Sequence, residues 1–240
     1  MGYFRPKLDF SLKRSLLWLN REMDVIKYQV SNSSTYGFYY NHSHSISMPK
    51  LSNLERMILF YEDRRFFSHN GVEIRSFFRT WKRFARGKGF GGVSTIDQQV
   101  VRIITQRRER TATRKIRELI LALAINTHIS KKEIFYCYIH DSYFGHRLIG
   151  CEIAAQFIFR LPAANLSIEQ AAFLASLLPL PLPKFVYTLI EKNTFGIDFD
   201  PQLIIDHPIV KKSRWGPRIE YRYKLASGNY DFMPKSLRNK

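Results

Sequence analysis

At 240 residues the chain is long enough to bury a sizeable core, as one large domain or one domain with extensions. Hydrophobic residues make up 45% of it and aromatics 15%, which excludes a disordered polymer. The formal net charge of +18, from 38 Lys+Arg against 20 Asp+Glu, predicts an anionic partner: nucleic acid, an anionic membrane or a phosphorylated substrate.

The N-terminal residues contain no run of eighteen apolar positions, and neither does the rest of the chain, so no membrane-spanning helix is predicted. The first thirty residues also lack the compact apolar segment and small-residue cleavage site of a signal peptide. Leu12, Leu16, Leu19, Met23 and Ile26 recur at helical spacing, with Lys13, Arg14, Arg21 and Lys27 around them. That pattern predicts a helix packed on its own domain, with a membrane-surface helix as the alternative. Residues 31–46, SNSSTYGFYYNHSHSI, show no helical period and read as a connector. Residues 1–46 are therefore an N-terminal extension.

From Pro49 the character changes. Ser52 with Glu55 forms a capping-box pattern ahead of Met57, Ile58, Leu59 and Phe60, opening a helix that runs into Glu62. The same signature recurs at Thr95 with Gln98, Ser130 with Glu133, and Ser167 with Gln170. Four such starts with few alternating runs predict a mainly α domain over residues 47–185. A helix from about Thr113 to Thr127 is apolar nearly all round, which predicts a central position. Arg114, Lys115 and Glu118 lie on its first turns at spacings that put them on adjoining faces. A buried helix over Ser167–Leu178 is closed by Pro179, Pro181 and Pro183. Beyond it, residues 186–240 read as a basic, irregular C-terminal extension. Cys137 and Cys151 sit in apolar helical patterns without zinc spacing and read as buried small hydrophobes.

Ionised carboxylates resist burial beside apolar sequence unless something compensates them, which singles out Glu62 and Glu118. Two acids with a basic cluster between them in sequence suit chemistry at a sugar carbon, and we expect both to face one cleft. Arg102, Arg107, Arg108, Arg110, Arg114 and Lys115 would offer a pyrophosphate several charge-assisted donors. The same arginines also fit a solvated basic face or a nucleic-acid patch. No nucleic-acid recognition motif accompanies them, so that partner is not favoured.

Five ordered segments carry a resemblance. EDRRFFSHNG at 62–71, GGVSTIDQQVVR at 91–102, RTATRKIRE at 110–118, KKEIFYCYIHDSYFG at 131–145 and GCEIAAQFIFRLPAANLSIEQAAFLASLLPLP at 150–181 resemble the successive motifs of the peptidoglycan glycosyltransferases of family 51. The resemblance implies a lysozyme-like helical glycosyltransferase domain that polymerises lipid II into glycan strands. Glu62 would be the general base that deprotonates the acceptor 4-hydroxyl for attack on C1 of the donor MurNAc, with inversion and loss of undecaprenyl pyrophosphate. Glu118 would assist at the acceptor or leaving-group side. Asp63, Phe66 and His69 fall on first-motif positions, the last two shaping the cleft. Ser94, Thr95, Gln98 and Gln99 match the polar face of the second motif. Arg102 stands where lysine is usual and, with Arg110, Arg114 and Lys115, would hold the pyrophosphate. No metal ligand set is predicted and no cofactor is certain, although a divalent cation such as Mg is compatible. Implied partners are lipid II, the growing glycan strand, an anionic membrane surface and other cell-wall synthesis proteins. The implied place is the outer face of a bacterial cytoplasmic membrane.

Val93, Asp97, Ile103, Tyr136 and His140 depart from the family pattern. A negative charge at Asp97 is expected to weaken pyrophosphate binding by Coulomb repulsion. The alternative reading is therefore a catalytically weakened member that binds precursor or glycan without turnover.

Overall fold

The computed structural model describes residues 12–40, 51–73, 94–107, 109 and 111–228, with side chains except for 12–15 and 34–40. The chain divides into two compact units, Met1–Tyr36 with Phe67–Cys137, and Gly37–Phe66 with Tyr138–Lys240. This division cuts across the single span of 47–185 expected from sequence.

The first unit holds most of α1 (Leu12–Tyr40), then α3 (Ile96–Thr105), α4 (Ala112–Ile125) and the start of α5 (Lys131–Asp141). Met23, Ile26, Val30 and Ser33 are buried at spacings of three and four, so α1 packs on its own unit by one stripe. The connector expected over 31–46 is overturned as far as Tyr40, because α1 continues through it. Val30 and Ser33 anchor that continuation where local propensity is poor. Thr95 caps α3 and Thr111 caps α4, each side chain accepting a backbone N–H three residues on. The two helices pack together. On α4 the buried positions are Glu118, Leu121, Ala122 and Ile125. Ile116, Ile120 and Leu123 are 53, 43 and 50% exposed, so the all-round burial expected for this helix is corrected to one face.

In the second unit α7 (Ile168–Leu177) is the central element, buried from Gln170 through Leu177. Its alanines at 171, 172 and 175 let other helices approach its backbone closely. Against it pack α2 (Asn53–Glu62) and α11 (Gly216–Gly228). Both α2 and α7 start with a complete capping box, Ser52 with Glu55 and Ser167 with Gln170. Asn53 Nδ2 donates to the Leu166 carbonyl at 2.9 Å, tying the two helix starts together. A short antiparallel hairpin, β1 (Tyr143–Gly145) with β2 (Leu148–Ile149), leads into α6 (Cys151–Phe159). Gly145 lies against Leu182, where a Cβ would come within 2.5 Å of the Leu182 side chain.

Residues 186–228 are mostly helical apart from a turn-rich stretch over 192–201. They complete α8 (Lys184–Glu191) and form α9 (Gln202–Asp206), α10 (Pro208–Lys211) and α11. Ile204, Ile205, Val210, Trp215, Ile219, Tyr223 and Ala226 are buried, which corrects the expected extension into part of a core. Gln170 Nε2 donates to Asp198 at 2.7 Å and Trp215 Nε1 to the Leu180 carbonyl at 3.2 Å. Both cysteines are free. Cys137 is buried and burial pushes the Cys151 thiol up to about 12, as suits packed rather than reactive thiols.

Candidate active site

Glu118 is 2% exposed, in the second turn of α4, and it is surrounded by cations. Arg102, in the last turn of α3, donates from Nε to Oε1 at 2.9 Å and from a terminal nitrogen to Oε2 at 3.3 Å. Arg114, one turn earlier on α4, also donates to Oε1. Lys115 Nζ is 3.5 Å from Oε2. Ser94 Oγ accepts from both Arg102, at 3.3 Å, and Lys115, at 3.0 Å. Gln98, one turn before Arg102 on α3, accepts from Lys115 through Oε1. Three cations around one carboxylate leave the cluster positive, and guanidinium forks beside an ammonium suit an anion with several oxygens. Burial pulls the Lys115 ammonium below the ordinary lysine value; Glu118 opposes this, and Arg102 and Arg114 add to it.

A sequence model described as Transglycosylase matches residues 32–192. The chain belongs to the transglycosylase family. It is similar to the biosynthetic peptidoglycan transglycosylase of Burkholderia thailandensis, 39% identical over 54% of this chain and 51% of that protein. Those of Burkholderia multivorans and Burkholderia ambifaria are 38 and 37% identical, each over 54% of this chain and 53% of theirs. The chain spans about half the length of the curated relatives it matches. Glu62, Glu118 and the whole cation cluster fall inside the transglycosylase match, whereas 193–228 follow it.

The other candidate residues take varied places. Glu62 is the last residue of α2 and is half-buried. Asp63 is buried as the C-cap of α2, its N–H donating to the Leu59 carbonyl at 3.0 Å and its carbonyl accepting from the Phe66 N–H at 3.0 Å. Phe66 is a core residue of the following short 3₁₀ turn. Thr95 is buried, and its hydroxyl donates to the Gly71 carbonyl at 2.7 Å. Gln99 is half-buried on α3. Arg108, Arg110 and Val93 lie outside the described residues. Arg107 is corrected away from the cluster, since it pairs with Glu22 of α1 at 3.0 Å.

Asp97 also departs from expectation. It is fully buried, one residue from the face that carries Gln98 and Arg102, and its Oδ1 accepts from Asn126 Nδ2 at 2.7 Å and Lys131 Nζ at 2.8 Å. Its charge is thus met by a dedicated ammonium, and the charges acting on Lys115 are those of Glu118, Arg102 and Arg114. Asp97 thereby ties the start of α3 to the end of α4 and the start of α5. Asn126 and Lys131 were absent from the sequence-based site because nothing local marks them as partners of Asp97. His69 Nδ1 is 3.9 Å from Asp97 Oδ2, which is buried without a hydrogen-bond partner among the described residues. Among the other departures, Tyr136 is buried on α5 beneath the Lys132 ammonium. His140 Nδ1 is 2.6 Å from Asp141, and that hydrogen bond raises the imidazole above its ordinary value.

Proposed function

We propose that this transglycosylase polymerises lipid II into peptidoglycan strands at the outer face of the cytoplasmic membrane. Its Glu62 carboxylate takes the proton of the acceptor 4-hydroxyl as that oxygen bonds to C1 of the donor MurNAc. The bond from C1 to the pyrophosphate oxygen breaks with its electron pair, and undecaprenyl pyrophosphate leaves. The observation that carries this reading is the cluster of Arg102, Arg114, Lys115, Ser94 and Gln98 around Glu118, a positive site suited to the charge of the leaving group. Glu118 spends both oxygens on these cations, so its part is to place them. The growing glycan is the acceptor, and a lipid-borne donor brings the chain to an anionic surface, in keeping with the net charge of +18. No described helix is long and apolar enough to cross a membrane. The test is incubation of the full chain with labelled lipid II, products resolved by length. A ladder of longer glycans is expected; unchanged precursor at all times would overturn the proposal in favour of binding without turnover.

A further inference from the structure

Helix α2 ends at Glu62, and its last turn combines the buried side chains of Leu59 and Phe60 with local bonds. The Asp63 N–H donates to the Leu59 carbonyl at 3.0 Å, Arg64 Nε donates to the Phe60 carbonyl at 3.0 Å, and the Arg64 guanidinium lies 3.9 Å above the Phe60 ring. Those bonds shape the turn, and the packing of Leu59 and Phe60 seats it in the unit. The Tyr61 side chain reaches further. The Tyr61 hydroxyl donates at 2.6 Å to the carbonyl of Leu225, 164 residues away in the last turn of α11. Helix α11 is itself seated on α7 by Ile219, Tyr223 and Ala226, with Tyr223 edge-on to Phe173 at 6.3 Å between centroids. The same α7 packs against α2. The segment that supplies Leu225 follows the family match, which ends at residue 192.

We infer that Tyr61 is a positioning residue for Glu62, and that α11 is its anchor; this rests on the proposed transferase role of Glu62. A backbone carbonyl makes a good anchor because it moves only if the helix moves, and α11 is held by buried side chains. With the hydroxyl bonded, the final turn of α2 is held at a second point beyond its packing on α7, and the carboxylate of the next residue inherits that restraint. Small displacements of a base from the hydroxyl it must deprotonate carry large rate costs, while substrate binding by groups elsewhere is left as it was.

The experiment is steady-state polymerisation of lipid II by the full chain and three variants. Tyr61→Phe keeps the ring and removes only the donor. Ile219→Ala loosens α11 from the core, and Tyr221→Ala changes the exposed face of the same helix. Tyr61→Phe is expected to lower kcat roughly tenfold, leaving KM and the unfolding midpoint unchanged. Ile219→Ala should lower kcat as well, and the double variant Tyr61→Phe/Ile219→Ala should lose no more kcat than the worse single variant, since both act through one contact. Tyr221→Ala should behave as wild type. Wild-type turnover with an unaltered kcat in Tyr61→Phe would overturn the positioning role alone, as would fully additive losses in the double variant. A wild-type chain without turnover would instead overturn the proposed function, and this role with it.

Discussion

Removing the Glu118 carboxylate would leave Arg102, Arg114 and Lys115 crowded around Ser94 with no anion among them. Because those cations retain some solvent exposure, Glu118→Ala should cost about 1–3 kcal/mol of stability, less than a fully buried pair would. Chemical denaturation checks this, and an unchanged midpoint would contradict it. Asp97 is more deeply enclosed. Asp97→Ala and Lys131→Met each strand a partner and should each cost about 3 kcal/mol, with the double variant losing less than the sum. The lowered Lys115 value gives a pH dependence of definite sign. Between its folded value and the ordinary 10.5 the unfolded chain binds the extra proton, so on this group stability rises with pH there. The proposed pyrophosphate binding runs the other way, since in that proposal it uses the ammonium. Affinity for pyrophosphate should therefore fall on raising the pH through the folded Lys115 value, below the range where an ordinary lysine titrates; loss only above 10.5 would contradict this. At this scale Arg102, Arg114, Lys115 and Glu118 were legible because charge and helical spacing are local properties, whereas Ser94 and Gln98 came only from the resemblance of the second motif. Asn126, Lys131 and the Arg107–Glu22 pair were not, because partners distant in the chain leave no spacing to read.

At the scale of elements, the starts at Ser52, Thr95, Ser130 and Ser167 were plain from sequence, since capping is decided within four residues. The extent of burial was harder. The apolar residues of α4 overstated its enclosure, and only 118, 121, 122 and 125 form the packed stripe. Ile120→Ser should accordingly leave stability within about 0.5 kcal/mol, whereas Leu121→Ala should cost about 2–4 kcal/mol; equal losses would restore the central helix first expected. The α11 stripe at 219, 223 and 226, with Trp215 just before it, has helical spacing and could have been found. It was masked by the arginines and lysines between those positions and by the short helices before it. Continuation of α1 past Val30 had no such signal, because Ser, Asn, Thr and Gly fill that stretch.

For the whole molecule, the order of the motifs carried the family, and the division into two units did not show in it. Each unit is built from separated stretches, so a boundary drawn along the chain could not find it. The segment beyond the family match belongs to the second unit's core and bonds through Leu225 to α2, which carries the proposed base. In the proposed reaction Glu62 is the base that activates the acceptor. Its most direct test is the initial rate of glycan formation from labelled lipid II by the wild-type chain and by Glu62→Gln. The account predicts a fall of about 100-fold or more in the variant with the fold intact; equal rates from the two proteins would contradict it.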